Sequence, residues 1–275
     1  MAPFPARIHI LLARDTEIGV VMRRGPSKHV CTLLWNRRKD EFTIAQWLKG
    51  RIYERRSDLS PDGKYLIYFA MNGKWNSETG GSWTAISRAP WLKAITLLGK
   101  GDGWHGGGLF TSNCSYWLND GYGHQVLKNS SEVYQDTKFQ PLEYHGGECP
   151  GVYYLRLQRD GWIHKGHTKL HKWKELTIFE KLLQDGWVLR KIAHEEVDAP
   201  PGKGCYWDEH ELEHSNTGTL FKYPDWEWVE WDRNRLVWTS GGCLYTGDLL
   251  NSELHNQRLI YDFNDLCFEA LLAPY

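Results

Sequence analysis

Residues 57–70, SDLSPDGKYLIYFA, constrain the fold of this chain more tightly than any other stretch. Ser60-Pro61-Asp62-Gly63 has the chemistry of a turn. Pro61 sets φ at the second position, Asp62 is suited to bonding its own backbone, and Gly63 tolerates a positive φ. Tyr65-Leu66-Ile67-Tyr68-Phe69-Ala70 then runs apolar and aromatic without a break. It is short and β-prone, which predicts a strand buried on both faces. After Met71-Asn72-Gly73-Lys74, further strands are expected at 83–87 and 94–98. A tight turn, a buried strand and two followers make most of one propeller blade.

Taking Tyr65–Ala70 as the inner strand sets a phase, and repeat architectures of this kind step by about 40–45 residues. Matching stretches fall at 19–23, 108–112, 151–155, 187–192 and 235–239, so six phases result. Five remain if 187–192 belongs to an outer hairpin. Residues 29–35 and 42–48 read as strands, and 51–55 alternates like an exposed outer strand. Nothing in the composition marks a linker. The expectation is an all-β, single-domain β-propeller spanning 1–275, with about six four-stranded blades and five as the alternative. The strand at 8–12 has no earlier partner. It is expected to pair near 259–263 or 267–272, closing the ring and removing exposed edges.

The 57–98 stretch resembles the TolB-like (PD40, WD40-like) β-propeller repeat, in which an S-P-D-G turn opens the inner strand. That resemblance implies a propeller fold and a protein-binding role. This chain carries the S-P-D-G turn once.

Fifteen Trp, fourteen Tyr and twenty-seven Gly beside three Met describe a strand-and-turn protein. A net charge of −1 gives the whole molecule no reason to seek nucleic acid or an anionic membrane. Apolar runs are too short to span a bilayer, and the apolar core near the N-terminus is too short for a signal peptide. The six cysteines stand singly with no CxxC pair, as reduced thiols do. These features predict a cytoplasmic protein with no cofactor and no membrane contact. Protein is the expected partner; nucleic acid is not expected, and carbohydrate stays open.

Asp-Gly-Trp occurs at 102–104, 160–162 and 185–187, and is expected to be a hairpin turn followed by an inward Trp. His164, His167 and His171 would share a helix face suited to a metal, but Gly166 and four neighbouring lysines favour an exposed polar loop. In 205–214, read as a strand, Asp208, His210 and His214 point to one face and Glu209, Glu211 and Glu213 to the other. The first three are candidate ligands for a divalent ion; the alternative is a solvated acidic strand. GKGDGWHGGG at 99–108 lacks the ending of a phosphate-binding loop and is expected to be flexible, with Trp104 and His105 on one rim. His145, in the loop before 151, is expected on the same face.

Basic residues dominate 23–56 and acidic ones 195–232. That is either a dipolar docking surface or ordinary solvated strands. Trp226, Trp228 and Trp231 break strict alternation, which makes one or more a candidate sugar platform or protein hot spot, against inter-blade packing as the plainer reading. No Ser-His-Asp, Cys-His or paired-carboxylate motif stands at a recognisable spacing. Asp58, Asp102 and Asp232 lie before or near inner strands and are the candidate acids if the chain is a hydrolase or lyase. Three readings follow: a non-enzymatic interaction module, which is the expectation, a carbohydrate- or peptide-cleaving enzyme, and a lectin-like metal or sugar binder.

Overall fold

The computed structural model describes residues 4–25 and 28–275. Two compact units divide the chain: Met1–Arg156 with Leu266–Tyr275, and Leu157–Asp265.

The first unit opens with an antiparallel meander of β1 (Arg7–Leu12), β2 (Ile18–Arg24), β3 (His29–Asn36) and β4 (Glu41–Lys49). β1 therefore has a sequence-adjacent partner, which corrects the expected pairing with 259–263 or 267–272. The register runs from Arg7↔Arg24 to Leu12↔Gly19. The turn between them carries a weak signal, because Arg14-Asp15-Thr16-Glu17 contains neither Gly nor Pro and offers only Asp15 as a turn former. It is closed by the Ala13 N–H donating to the Ile18 carbonyl at 2.9 Å. Residues 267–272 form no strand.

The second sheet begins with β5 (Arg51–Leu59), β6 (Tyr65–Met71), β7 (Ser82–Arg88) and β8 (Ala94–Gly99). Then β9 (Gly108–Phe110) and β10 (Ser115–Leu118) start a third sheet, and β11 (Gln125–Lys128) returns to pair with β8. β12 (Tyr134–Gln135) joins β10 in parallel. The 60–63 turn joins β5 to β6 as its chemistry requires. Ser60 Oγ donates to Asp62 Oδ1 at 2.7 Å and accepts the Tyr65 N–H at 2.9 Å, while Gly63 sits at φ +77°. β6 is buried along its whole centre, but β5 rather than β6 is the outermost strand of the sheet. Leu59, Leu66, Tyr68 and Ala85 pack with Val20 and Met22 into one core, and Ile67, Ile86 and Phe110 centre a second.

Residues 151–155, expected to be an inner strand, lie in a helix, α1 (Cys149–Arg159). A short continuous apolar run does not separate a buried strand from a buried helix, and Val-Tyr-Tyr-Leu is such a run. The signals that decide it sit at the ends. Pro150 occupies the first turn, where a missing N–H costs nothing. At the other end Gly161 takes φ +88°, its N–H reaching Gln158 O at 3.1 Å and the Trp162 N–H reaching Leu157 O at 2.9 Å. This is a Schellman stop. The Asp-Gly of 160–161 therefore ends a helix. The Asp-Gly of 185–186 turns a hairpin as expected, and that of 102–103 lies in a half-buried loop.

The second unit holds a five-stranded antiparallel sheet of β13 (Ile163–His171), β14 (Lys174–Leu182), β15 (Trp187–Glu196), β16 (Tyr206–His214) and β17 (Thr219–Tyr223). A four-stranded one follows: β18 (Trp228–Asp232), β19 (Arg235–Ser240), β20 (Cys243–Leu250) and β21 (Glu253–Asp262). Residues 187–192 are thus in the middle strand of a sheet, not in an outer hairpin, and β21 pairs with β20. The 164–171 histidines lie on edge strand β13, neither on a helix face nor in a loop. Five sheets are present among the described residues, of four, five, three, five and four strands. The all-β expectation stands, with one helix added.

Candidate functional site

The glycine-rich segment 99–108 is packed, and a buried arginine fastens it. Arg56, on β5, is fully buried between the rings of Tyr53 and Phe69, 4.9 and 5.1 Å from their centroids. One of its terminal nitrogens donates to the carbonyls of Gly103 at 2.8 Å and His105 at 2.6 Å. The other faces the Glu148 carboxylate at 3.8 Å. Gly107, at φ +74°, must be glycine, since a Cβ there would stand 1.8 Å from the Arg56 carbonyl oxygen. Gly108 is under the same constraint, its Cβ position 2.0 Å from the Trp117 carbonyl oxygen, and Gly106 lies against the Phe69 ring, so these three glycines serve close packing of the segment.

Two further loops close on the same segment. The His105 ring lies so near Gly121 and Gly147 that a Cβ at either would come within 2.0 or 2.4 Å of it. Asn119 Nδ2 bridges the carbonyls of Gly106 and Gly147, each at 3.4 Å. Loops 101–107, 119–124 and 145–148 therefore form one assembly, and Gly80 against Gly101 adds the 72–81 loop to it. His145 joins through this loop, its Nε2 lying 3.1 Å from Glu143 and its ring edge-on to Tyr154. Trp104 sits at the outside, 64% exposed. Trp75, Tyr122 and Tyr144 on the adjoining loops are 55%, 89% and 78% exposed. Those three aromatics, Arg56 and His124 stand in no motif that sequence reasoning singles out. Arg56 carries one faint signal, since alternation puts it on the side of a strand opposite Arg55. His124 is held between Asp120 Oδ1 at 2.9 Å and Thr84 Oγ1 at 3.1 Å, and its burial, outweighing Asp120, pushes it below the usual imidazole range. It is neutral at pH 7.

The three candidate acids each hold backbone or a cation. Asp58 is buried and accepts the Phe110 N–H at 2.7 Å. Asp102 takes the Lys100 ammonium at 2.7 Å and the Trp104 N–H at 2.8 Å. Partial burial pushes its carboxyl up, but those bonds prevail and keep it below the ordinary carboxylate range. Asp232, in the second unit, is buried against Arg235 at 3.3 Å.

In the second unit the alternation read from 205–214 is correct: Asp208, His210 and His214 are buried, and Glu209, Glu211 and Glu213 face the other way. The three inward residues do not converge on a metal. Lys191, opposite His210 in register, places its ammonium 2.8 Å from His210 Nε2 and 3.7 Å from Asp208. His214 turns instead to Thr217 and Ser252, with its ring edge-on to Trp187. No group of three His, Cys, Asp or Glu residues that would hold a metal is present among the described residues. Trp226 and Trp228 are buried, 6% and 7% exposed, so neither is a platform; Trp231 is half-buried. Trp226 is stacked between Tyr223 and Trp238 at 3.8 and 4.8 Å, which is the packing alternative.

The acidic run of the second unit is largely spent within its own sheet. Glu180, Arg190, Glu211 and Lys222 stand opposite one another on four successive strands. Arg190 reaches Glu180 at 2.8 Å, Glu211 at 2.9 Å and Glu213 at 2.7 Å, and Lys222 reaches Glu211 at 3.2 Å. Burial raises the Glu211 carboxyl, but Arg190 and Lys222 overcome it and hold it below the ordinary range. Removing Arg190 leaves three carboxylates facing one another. Exposed ion pairs contribute under about 1 kcal/mol and breaking buried ones costs about 3–5, so this half-buried hub predicts about 2 kcal/mol for Arg190→Met at pH 7. A group whose folded pKa is depressed contributes stability above its unfolded pKa and loses it as pH falls through the folded value. The Arg190→Met deficit, measured by urea denaturation, should therefore shrink steadily below about pH 4.

No known family profile matches the chain, and no curated protein does. Among solved structures, the crystal structure of the Saccharomyces cerevisiae Sqt1 is similar over 93% of this chain and 86% of that one, at 10% identity and a TM-score of 0.32. The crystal structure of the tricorn protease is similar over 93% of this chain and 26% of that one, at 11% identity and a TM-score of 0.26. Likenesses this loose decide neither fold nor function. No helix among the described residues is long and apolar enough to cross a membrane.

Proposed function

We propose that this protein is a non-catalytic interaction module of propeller-like build, presenting the loop end of its first unit to a protein partner. The exposure of Trp75, Trp104, Tyr122 and Tyr144 on four adjoining loops carries this reading. Large aromatics are costly to leave in water and are enriched at binding hot spots. Here they stand on loops held by Arg56, Asn119 and the His105 ring, so little ordering entropy is lost when a partner docks. Most strands in each sheet pair with their sequence neighbours, as blades of a propeller do, which supports the architectural half of the reading. The engaged state of Asp58, Asp102 and Asp232 favours binding over hydrolysis.

Native mass spectrometry of the protein recovered gently from its own cells tests this. The expected result is a stoichiometric protein partner that is lost in a Trp104→Ser/Tyr122→Ser variant with an unchanged melting temperature. A bare monomer across several growth conditions, or a partner retained by the variant, would overturn the reading.

A further inference from the structure

We infer that the loop end of the first unit takes a cationic segment of its partner, a stretch rich in Lys or Arg, and not an acidic or neutral one. This rests on the interaction reading above and adds the chemistry of the partner. The four loops at 72–81, 100–107, 119–124 and 142–148 carry five carboxylates: Glu78, Asp102, Asp120, Glu143 and Glu148. They carry two lysines, and one of these, Lys100, is buried on Asp102 at 2.7 Å. Arg56 beneath them is buried and spends itself on loop carbonyls and on Glu148. With Asp102 and Glu148 so engaged, the surface offered to solvent is aromatic with Glu78, Asp120 and Glu143 against Lys74, a carboxylate excess in a chain that is nearly neutral at −1.

That combination selects its ligand. Guanidinium and ammonium groups are drawn to the faces of Trp and Tyr, and nearby carboxylates add long-range attraction. An acidic segment would meet like charge across the rim, at a penalty of the same origin. Glu78, Asp120 and Glu143 are exposed beside Trp75, Tyr122 and Tyr144 respectively, so each aromatic has a carboxylate a few residues away in its own loop. The long aliphatic stems of Lys and Arg suit this arrangement, since they lie along a ring while the head reaches the carboxylate.

Fluorescence anisotropy with labelled 15-residue peptides tests the inference: one of alternating Lys, Arg, Gly and Ser, its Glu/Asp charge-reversed counterpart, and a neutral Ser/Gly/Tyr version. A neutral-oligosaccharide array forms a further arm. The basic peptide should bind at least tenfold more tightly than either other peptide, weakening as salt is raised through the range in which the Debye length falls below about 10 Å. Trp104→Ala should weaken it about tenfold, within the range of hot-spot truncations. Glu78→Lys/Glu143→Lys should weaken it further with no change in melting temperature. Equal or tighter binding of the acidic peptide, the neutral peptide or a glycan, with the same dependence on Trp104, would overturn the cationic partner and leave the docking face in place. Binding of no probe, or binding indifferent to Trp104, would overturn both.

Discussion

Arg56→Met should cost the protein about 3 kcal/mol and release the 101–107 loop from its bed. The figure follows from what the guanidinium does. Hydrogen bonds from a charged donor are worth about 1.5–3 kcal/mol each, and Arg56 gives two, to the carbonyls of Gly103 and His105. Loop carbonyls near solvent recover some hydration when abandoned, so the sum falls short of full additivity. Methionine keeps most of the packing between Tyr53 and Phe69, which isolates the polar loss. Arg56→Lys keeps the charge but lacks the planar fork, and should restore less than half of the lost stability. Urea denaturation reads the loss of global stability. Hydrogen exchange reads the local opening, since the Gly106 N–H donates to Asn119 O and the Gly107 N–H to Thr84 Oγ1, and both amides should exchange faster once the loop lifts. A loss below about 1 kcal/mol with unchanged exchange at those amides would mean that the glycine contacts alone hold the loop. The same variant should weaken partner binding, because Trp104 and His105 ride on the segment that Arg56 fastens.

Local structure is legible in this sequence. The 60–63 turn, the two-faced burial of β6 and the strand alternation of β16 follow from turn chemistry and a period of two, and all three are present. Features set by contacts or end signals outside a segment's own period are not. Gly151–Leu155 has the composition of a buried strand, and the decision for a helix comes from Pro150 and Gly161 near its ends. The partner of β1 is hidden by a turn lacking glycine and proline. At the sites the same limit applies. Alternation puts Asp208 and His210 on one inward face, but only register brings Lys191 opposite His210 and within 3.7 Å of Asp208, so a cationic side chain stands at the candidate ion site. Alternation is equally silent about Tyr223 and Trp238, which cover the two faces of Trp226 and bury a ring that is a candidate surface platform. Of the two residues expected on a rim, Trp104 is exposed, whereas the His105 ring packs against Gly121 and Gly147, a contact between loops that the segment's own composition does not reveal. Nor does it reveal the buried arginine that fastens the segment.

Lys191→Met should be among the most damaging single changes in the second unit, at about 3–5 kcal/mol, the cost of breaking a buried ion pair from one side. Lys191 is buried with its ammonium 4.9 Å from the Trp162 ring, and Asp208 beside it is buried as well. The histidine beside the lysine has a fixed tautomer. His210 Nδ1 lies 2.9 Å from the Trp226 carbonyl, which only accepts, so Nδ1 carries the proton and Nε2 accepts from the lysine. Removing the lysine thus strips a donor from His210 and a counter-charge from Asp208 in one step. Most of the damage comes from the carboxylate, since a buried charge that loses a counter-charge costs more than a neutral nitrogen that loses one donor. A second substitution separates the two. In Lys191→Met/Asp208→Asn the buried charge is gone while the histidine still lacks its donor, and more than half of the lost stability should return. Recovery of less than a quarter, with His210 in the other tautomer by nitrogen NMR, would transfer the main role from the ion pair to the lysine–histidine hydrogen bond.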